Sequence, residues 1–328
     1  MASMKAIVIS EYGDPEVLRI QELPLPEATD DSVVVRVRAF GLNHAEAYFR
    51  KGVWGEVAKV SGIECAGEVH DSGRSGLANG QKVFALMGGL GRTLNGSYAE
   101  YVRVRATNVV PVRSVLDWES LAAIPESYAT AWTFLHHNLE VRAGQHLVVR
   151  GGTSALGQAA IQIARGVGLH VHATSRSQEK AGLLEALGAE ALIETTTLSS
   201  ELRERLPRGA DAVLDIVGTS TLLDSFKMVR YRGRVAQAGF LGGAAPLALD
   251  PLTQLPSGVQ YSFFASAFLF GETDLPLSDI PFDEIIERAE RGEYRVSPAH
   301  VFDFKDIVHA HRLLESGDAR GKIVVRAP

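Results

Sequence analysis

At 328 residues the chain is long enough to need two cores rather than one. A net charge of −6 argues against a nucleic-acid-binding surface as its main role, and a single cysteine, Cys65, excludes an internal disulfide framework and a cysteine-rich metal knuckle. It has no run of about 18 apolar residues, so no membrane span is expected, and the opening MASMK lacks the layout of a signal peptide, so a cytoplasmic protein is expected.

Residues 4–10 and 32–39 read as strands, with Pro24 and Pro26 marking a loop between them. In the second, Val33, Val35 and Val37 alternate with Val34, Arg36 and Arg38, as in a half-buried antiparallel strand. Short strands also fit residues 65–70, 81–86 and 98–104, separated by glycine-bearing turns. Frequent short strands predict a β-barrel-like first domain. Residues 118–138 look helical, broken at Pro125. The chain then alternates: strand 146–150, helix 155–167, strand 169–174, helix 177–187, strand 190–193, helix 198–206, strand 211–217, helix 220–231, strand 233–239. This is the pattern of a doubly wound parallel sheet. Residues 259–266 add a further strand. An amphipathic helix over 282–291, a strand near 300–302, a helix over 304–316 and a last strand over 322–325 complete the chain.

The stretch 146–180 is the most informative. Leu147, Val148 and Val149 form a short apolar run, as in a strand buried on both faces. Gly151-Gly152-Thr153-Ser154-Ala155-Leu156-Gly157 follows and leads into a helix, where backbone N–H groups and the helix dipole make a seat for a phosphate. The frame is Gly152-x-Ser154-x-x-Gly157, a variant of the dinucleotide G-x-G-x-x-G with serine in the middle place. The Ser154 hydroxyl or N–H is expected to face a pyrophosphate. A tight turn without a ligand is the bland alternative. The next strand ends Thr174-Ser175-Arg176-Ser177, with Lys180 one turn on. An NAD site usually carries a carboxylate there for the ribose 2′-OH. Arg176 and Lys180 instead suit a 2′-phosphate, with the hydroxyls of Ser175 and Ser177 as donors, and so predict NADPH; a solvated basic loop capped by Ser177 is the alternative.

Taken in order, these features resemble the zinc-independent quinone oxidoreductases of the medium-chain dehydrogenase/reductase superfamily, over nearly the whole chain. The match includes Gly41-Leu42-Asn43 with Glu46, Tyr48, Arg50 and Gly52, Gly62-Ile63-Glu64-Cys65-Ala66-Gly67, Gly96-Ser97-Tyr98-Ala99-Glu100-Tyr101, Thr130-Ala131, the glycine turn, Leu187-Gly188-Ala189, Asp215-x-Val217-Gly218 and Gly321-Lys322. The resemblance implies a discontinuous GroES-like β-barrel catalytic domain over 1–124 and 270–328, and a Rossmann NADP(H)-binding domain over 125–269. It puts Thr130, Gly152, Thr153, Ser154, Ala155, Leu156, Val217, Gly218, Gly239 and Phe240 along the cofactor, beside Ser175, Arg176 and Lys180. Asn43 and Tyr48 would be the catalytic residues facing the substrate, and Tyr48 would hydrogen-bond a carbonyl oxygen or relay a proton, or only pack. Trp54, Phe268 and Phe270 would complete the pocket. Zinc-dependent relatives carry Cys where Asn43 stands and G-H-E where Gly62-Ile63-Glu64 stands, so no metal is expected.

The implied function is transfer of hydride from NADPH to a quinone or similar conjugated carbonyl. A 2-alkenal or enoyl double-bond reductase is the alternative on the same fold, and an NADPH-binding protein with little turnover is the third reading. The expected partners are a small hydrophobic carbonyl or quinone substrate, no nucleic acid and no membrane, with a homodimer through the 259–266 strand edge.

Overall fold

The strand His146–Arg150 lies at the centre of a six-stranded parallel sheet. The order across the sheet is Glu190–Ile193, His170–Ser175, His146–Arg150, Ala210–Asp215, Val229–Gln237 and Gln260–Phe263. Chain direction across the sheet reverses between the third and fourth of these strands. That is the topological switch point, and ligands of doubly wound sheets bind outside the carboxyl ends there. Burial on both faces explains the near-continuous apolar runs Leu147–Val149 and Ala212–Leu214. Val148, Val213 and Val235 of three adjacent strands share one core with Phe226 and Met228.

The structure, a computed structural model, describes residues 2–243 and 245–328; Met1, with which the signal-peptide reading begins, lies outside the described residues. The chain forms two units, Met1–Ala129 with Ser266–Pro328, and Thr130–Ala265. The first is a GroES-like domain and the second a Rossmann domain.

The GroES-like unit is organised on Ser32–Gly41. This strand pairs antiparallel with Glu64–Asp71, with Tyr101–Arg105 and with the chain's last strand, Ile323–Arg326. Two neighbours along its length bury Val34 as well as Val33, Val35 and Val37, so the strand is more enclosed than its alternation indicates. Lys82–Leu86 and Val109–Pro111 extend the sheet on one side, and His300–Asp303 closes the other. Ile7, Val35, Phe40, Tyr98, Ile307 and Val325 meet in its core. The unit needs both ends of the chain, because Ile323–Arg326 supplies a strand beside Phe40.

Several elements depart from the pattern reading. The strand Val109–Pro111 and the helices Pro251–Gln254 and Ser266–Leu269 are unexpected, the last beginning inside the expected strand 259–266. Three more are informative. Leu18–Pro24 is a strand paired with Ser3–Ile9. Its residues are mostly exposed, so no apolar alternation announced it. His44–Arg50 is a helix. Residues 229–231 belong to the strand Val229–Gln237 rather than to the preceding helix, which ends at Met228. Buried, β-branched Val229 pairs with Ala210, and that sheet contact overrides the helical run. Among the described residues no helix is long and apolar enough to cross a membrane.

Candidate functional site

In the Rossmann unit, Ser154 is the N-cap of the helix Ala155–Val167. Its Oγ accepts from the Gly157 N–H at 3.0 Å and donates to the Gly151 carbonyl at 2.8 Å, and its own N–H donates to the same carbonyl at 3.1 Å. This corrects the expectation that the hydroxyl or N–H of Ser154 faces a pyrophosphate: both are turned into the turn. Ser154 shapes the seat. The N–H groups of Ala155 and Leu156 head the helix, where the dipole favours an anion. Gly157 is required by close packing. A Cβ there would lie 2.5 Å from the Gly151 carbonyl oxygen and 2.8 Å from the Gly152 Cα. The turn is tied to the next strand by Gly152 N–H to the Thr174 carbonyl and Gly151 N–H to the Thr174 hydroxyl, each 3.0 Å. Gly152 is buried and Thr153 half-buried.

At the end of the adjacent strand, Asp215 is fully buried. Its carboxylate accepts from the N–H groups of Val217 and Gly218 at 3.0 and 2.8 Å, and from the hydroxyls of Thr221 and Ser225. Burial pushes this carboxyl above the usual carboxylate range, against the pull of its donors. Arg150, 1% exposed, lies alongside. Its guanidinium donates to Glu194, to Asp224 at 3.1 Å, to the Ser225 hydroxyl and to the Thr221 carbonyl. The network fixes the Val217-Gly218 turn from beneath. The sequence reading named Val217 and Gly218 but missed Arg150, Glu194 and Asp224. A charged residue ending an apolar strand run was the available signal. Gly239 and Phe240 follow the next strand, and Phe240 packs at 5.9 Å against Phe263. Thr130 is buried in the helix Pro125–Thr133.

At the end of His170–Ser175, Ser175 is buried, and its hydroxyl donates to the Ser177 carbonyl at 3.0 Å and accepts from the Ser177 N–H at 3.2 Å. The expectation that Ser175 donates to a 2′-phosphate is therefore corrected, since its hydroxyl closes its own loop. Arg176 is exposed and forms no ion pair with any described residue. Lys180, half-buried, ends the following short 3₁₀ turn, Gln178–Lys180. No carboxylate ends this strand.

In the GroES-like unit, Asn43 caps His44–Arg50. Its Oδ1 accepts from Lys322 Nζ at 2.8 Å, and its Nδ2 donates to Glu64 Oε1 at 2.8 Å. Lys322 and Glu64 form a buried ion pair, completed by the Glu126 N–H on Glu64 Oε2 at 2.7 Å and by the Ser127 hydroxyl near Lys322. Gly41 makes the room: a Cβ there would lie 2.4 Å from the Lys322 Cε. Below this cluster Glu46 accepts from the N–H groups of Asn43 and Ile63. Burial pushes its carboxyl up to about 8. Lys322, Glu64 and Ser127 were not singled out from sequence as site residues.

Zinc does not fit this cluster. Asn43 stands with its amide already paired, Ile63 offers no donor, and an ammonium group is hydrogen-bonded where a divalent cation would compete with it. Among the described residues no group of three His, Cys, Asp or Glu side chains is arranged to hold a metal ion.

Tyr48 is half-buried, its ring 4.8 Å from that of Trp54, and burial raises its phenol pKa. Trp54 is 43% exposed and Phe268 61% exposed. Phe270 is 1% exposed, and its carbonyl accepts from Asn108 Nδ2. It is core, which corrects its assignment to a pocket wall.

Comparison with known proteins places this geometry. The family described as alcohol dehydrogenase GroES-like domain matches residues 29–114, and that described as zinc-binding dehydrogenase matches residues 155–274. A solved structure of an NAD-dependent alcohol dehydrogenase is 30% identical, with a TM-score of 0.81 over 99% of this chain and 100% of the other. A pig quinone oxidoreductase is 26% identical over 98% of this chain and 97% of its own. The chain belongs to the quinone oxidoreductase group of the medium-chain dehydrogenase/reductase superfamily. A mycobacterial protein solved in complex with NADPH is 25% identical, with a TM-score of 0.87 over 98% of this chain and 99% of that one. Membership makes the protein an oxidoreductase with a nicotinamide cofactor and a small-molecule substrate. The Rossmann unit fits such a cofactor: Gly157 lets the helix start against the turn, and the ends of the strands around the switch point carry Gly152, Gly218 and Gly239.

Proposed function

We propose that this protein is an NADPH-dependent, zinc-free reductase of quinones or similar conjugated carbonyls. The observation that carries the cofactor choice is Arg176, an exposed cation without an ion-pair partner among the described residues, at the strand end where a carboxylate would favour NADH. The bound cofactor supplies hydride. The protein binds and orients it through the helix head at Ala155 and Leu156 and through the Val217-Gly218 turn held by Asp215. Tyr48 is the group we assign to the substrate carbonyl oxygen, as hydrogen-bond donor. Asn43 positions the helix that carries Tyr48, since its amide is tied to Lys322 and Glu64. Exposed Tyr261 and Phe263 on the terminal strand Gln260–Phe263 support a homodimer through that edge.

The test is oxidation of NADPH and NADH by the purified protein with a quinone, and in parallel with a 2-alkenal. Turnover of the quinone with NADPH preferred, unaffected by a chelator, supports the reading. Turnover of the alkenal alone selects double-bond reduction, and loss of activity on chelation contradicts the zinc-free assignment.

A further inference from the structure

Half-buried arginines in this protein find acceptors. Arg38, Arg230, Arg234 and Arg288 each pair with a carboxylate, and Arg203 gives its donors to the carbonyls of Lys227 and Val229. Arg92 is also half-buried, and it forms no ion pair with any described residue. Its guanidinium lies 4.2 Å over the ring of Phe268, and its one hydrogen bond among the described residues, to the Ala267 carbonyl, is long at 3.5 Å. A guanidinium has five N–H donors, and withdrawing it partly from water without acceptors is unfavourable. Phe268 is itself largely exposed, so the cation is held against an aromatic ring that faces solvent. The loop bearing Arg92 packs beside the Tyr48–Trp54 surface: a Cβ on Gly91 would lie 3.5 Å from Phe49 Cε2, and Phe49 meets Trp54 at 5.7 Å.

A fixed cation without a counter-ion among the described residues, beside exposed aromatic surface, matches a flat apolar molecule that carries a negative charge. We propose that Arg92 is a specificity-determining residue and that the preferred substrates carry an anionic group, a carboxylate, sulfonate or phosphate, on the conjugated carbonyl body. This rests on the reading of the GroES-like unit as the substrate-receiving one. The cation–π contact with Phe268 holds the guanidinium in place before the substrate arrives, so little rotamer freedom remains to be lost on binding.

The experiment compares naphthoquinone with its sulfonate, using full-length wild type, Arg92→Gln and Arg92→Lys. The expected wild-type kcat/KM favours the sulfonate by about tenfold or more, the size of one charge-assisted hydrogen bond. Arg92→Gln should cut that ratio by about the same factor, through KM. Arg92→Lys should keep part of it, and added salt should narrow it in the wild type. Equal wild-type efficiency for the two quinones, or a ratio unchanged in Arg92→Gln, overturns the proposal. A change confined to the KM for NADPH also overturns it, because the cation would then serve a cofactor phosphate. If neither quinone is reduced, the reductase assignment fails, and binding decides the point by quenching of tryptophan fluorescence. Tighter binding of the sulfonate, lost in Arg92→Gln, supports the role of Arg92, and equal binding contradicts it.

Discussion

Lys322 donates from its ammonium group to Glu64 Oε1, in an ion pair that joins the end of the chain to the strand Glu64–Asp71 inside the GroES-like unit. Both side chains are nearly withdrawn from solvent, and Asn43 bridges them. Removing one partner of a buried pair leaves the other charge uncompensated, a cost of about 3–5 kcal/mol. Lys322→Met should therefore destabilise the protein by about that amount in urea unfolding, and Glu64→Gln by a comparable one. The double variant should lose less than the sum of the two, because no lone charge remains. Strict additivity would show that the pair is not coupled.

Gly157→Ala places a methyl group against backbone at 2.5 and 2.8 Å, atoms that cannot move without shifting the turn. The expected cost is about 1–3 kcal/mol in stability, with NADPH affinity reduced at least tenfold because the helix head moves from its seat. Differential scanning calorimetry with and without cofactor measures both. A variant with native melting and native affinity would mean that the turn tolerates the side chain.

The Glu46 carboxyl, pushed up to about 8 by burial from an ordinary 4.5, sets a pH dependence. Between those values the folded state holds a proton that the unfolded state releases. The contribution is fully present below about 4.5 and is lost as pH rises through about 8. Buried His311, lowered to about 3, acts oppositely, so that stability rises between about 3 and its ordinary 6.5. Glu46→Gln isolates the first effect. It loses an acceptor for one of two N–H donors at every pH, but the difference from wild type should shrink by an amount on the order of a few kcal/mol between pH 5 and pH 8. A difference that stays flat over that range would show that Glu46 does not hold a proton there.

Pattern carried the Rossmann unit furthest. Buried parallel strands read as apolar runs, and glycines must stand where helix and turn touch, so Leu147–Val149 and Gly152 through Gly157 are visible one residue at a time. The strand Leu18–Pro24 is invisible to that reading, because exposed edge residues carry no periodicity. The cluster of Asn43, Glu64 and Lys322 joins residues separated by up to 279 positions, and no local spacing encodes such a contact. Ser154 and Ser175 show the reverse error. A hydroxyl beside a phosphate seat looks like a ligand donor, but at a helix N-cap or in a tight loop the nearest backbone groups claim it first.

The role of Arg176 in selecting NADPH is tested by the ratio of kcat/KM for NADPH over NADH in wild type and in Arg176→Ala, with one quinone as acceptor. Arg176 is exposed, so its loss should leave melting within about 0.5 kcal/mol of native. The expected wild-type ratio is above ten and falls by about tenfold or more in the variant, with the loss confined to NADPH. Equal loss with both cofactors, or a wild type that prefers NADH, would contradict that role.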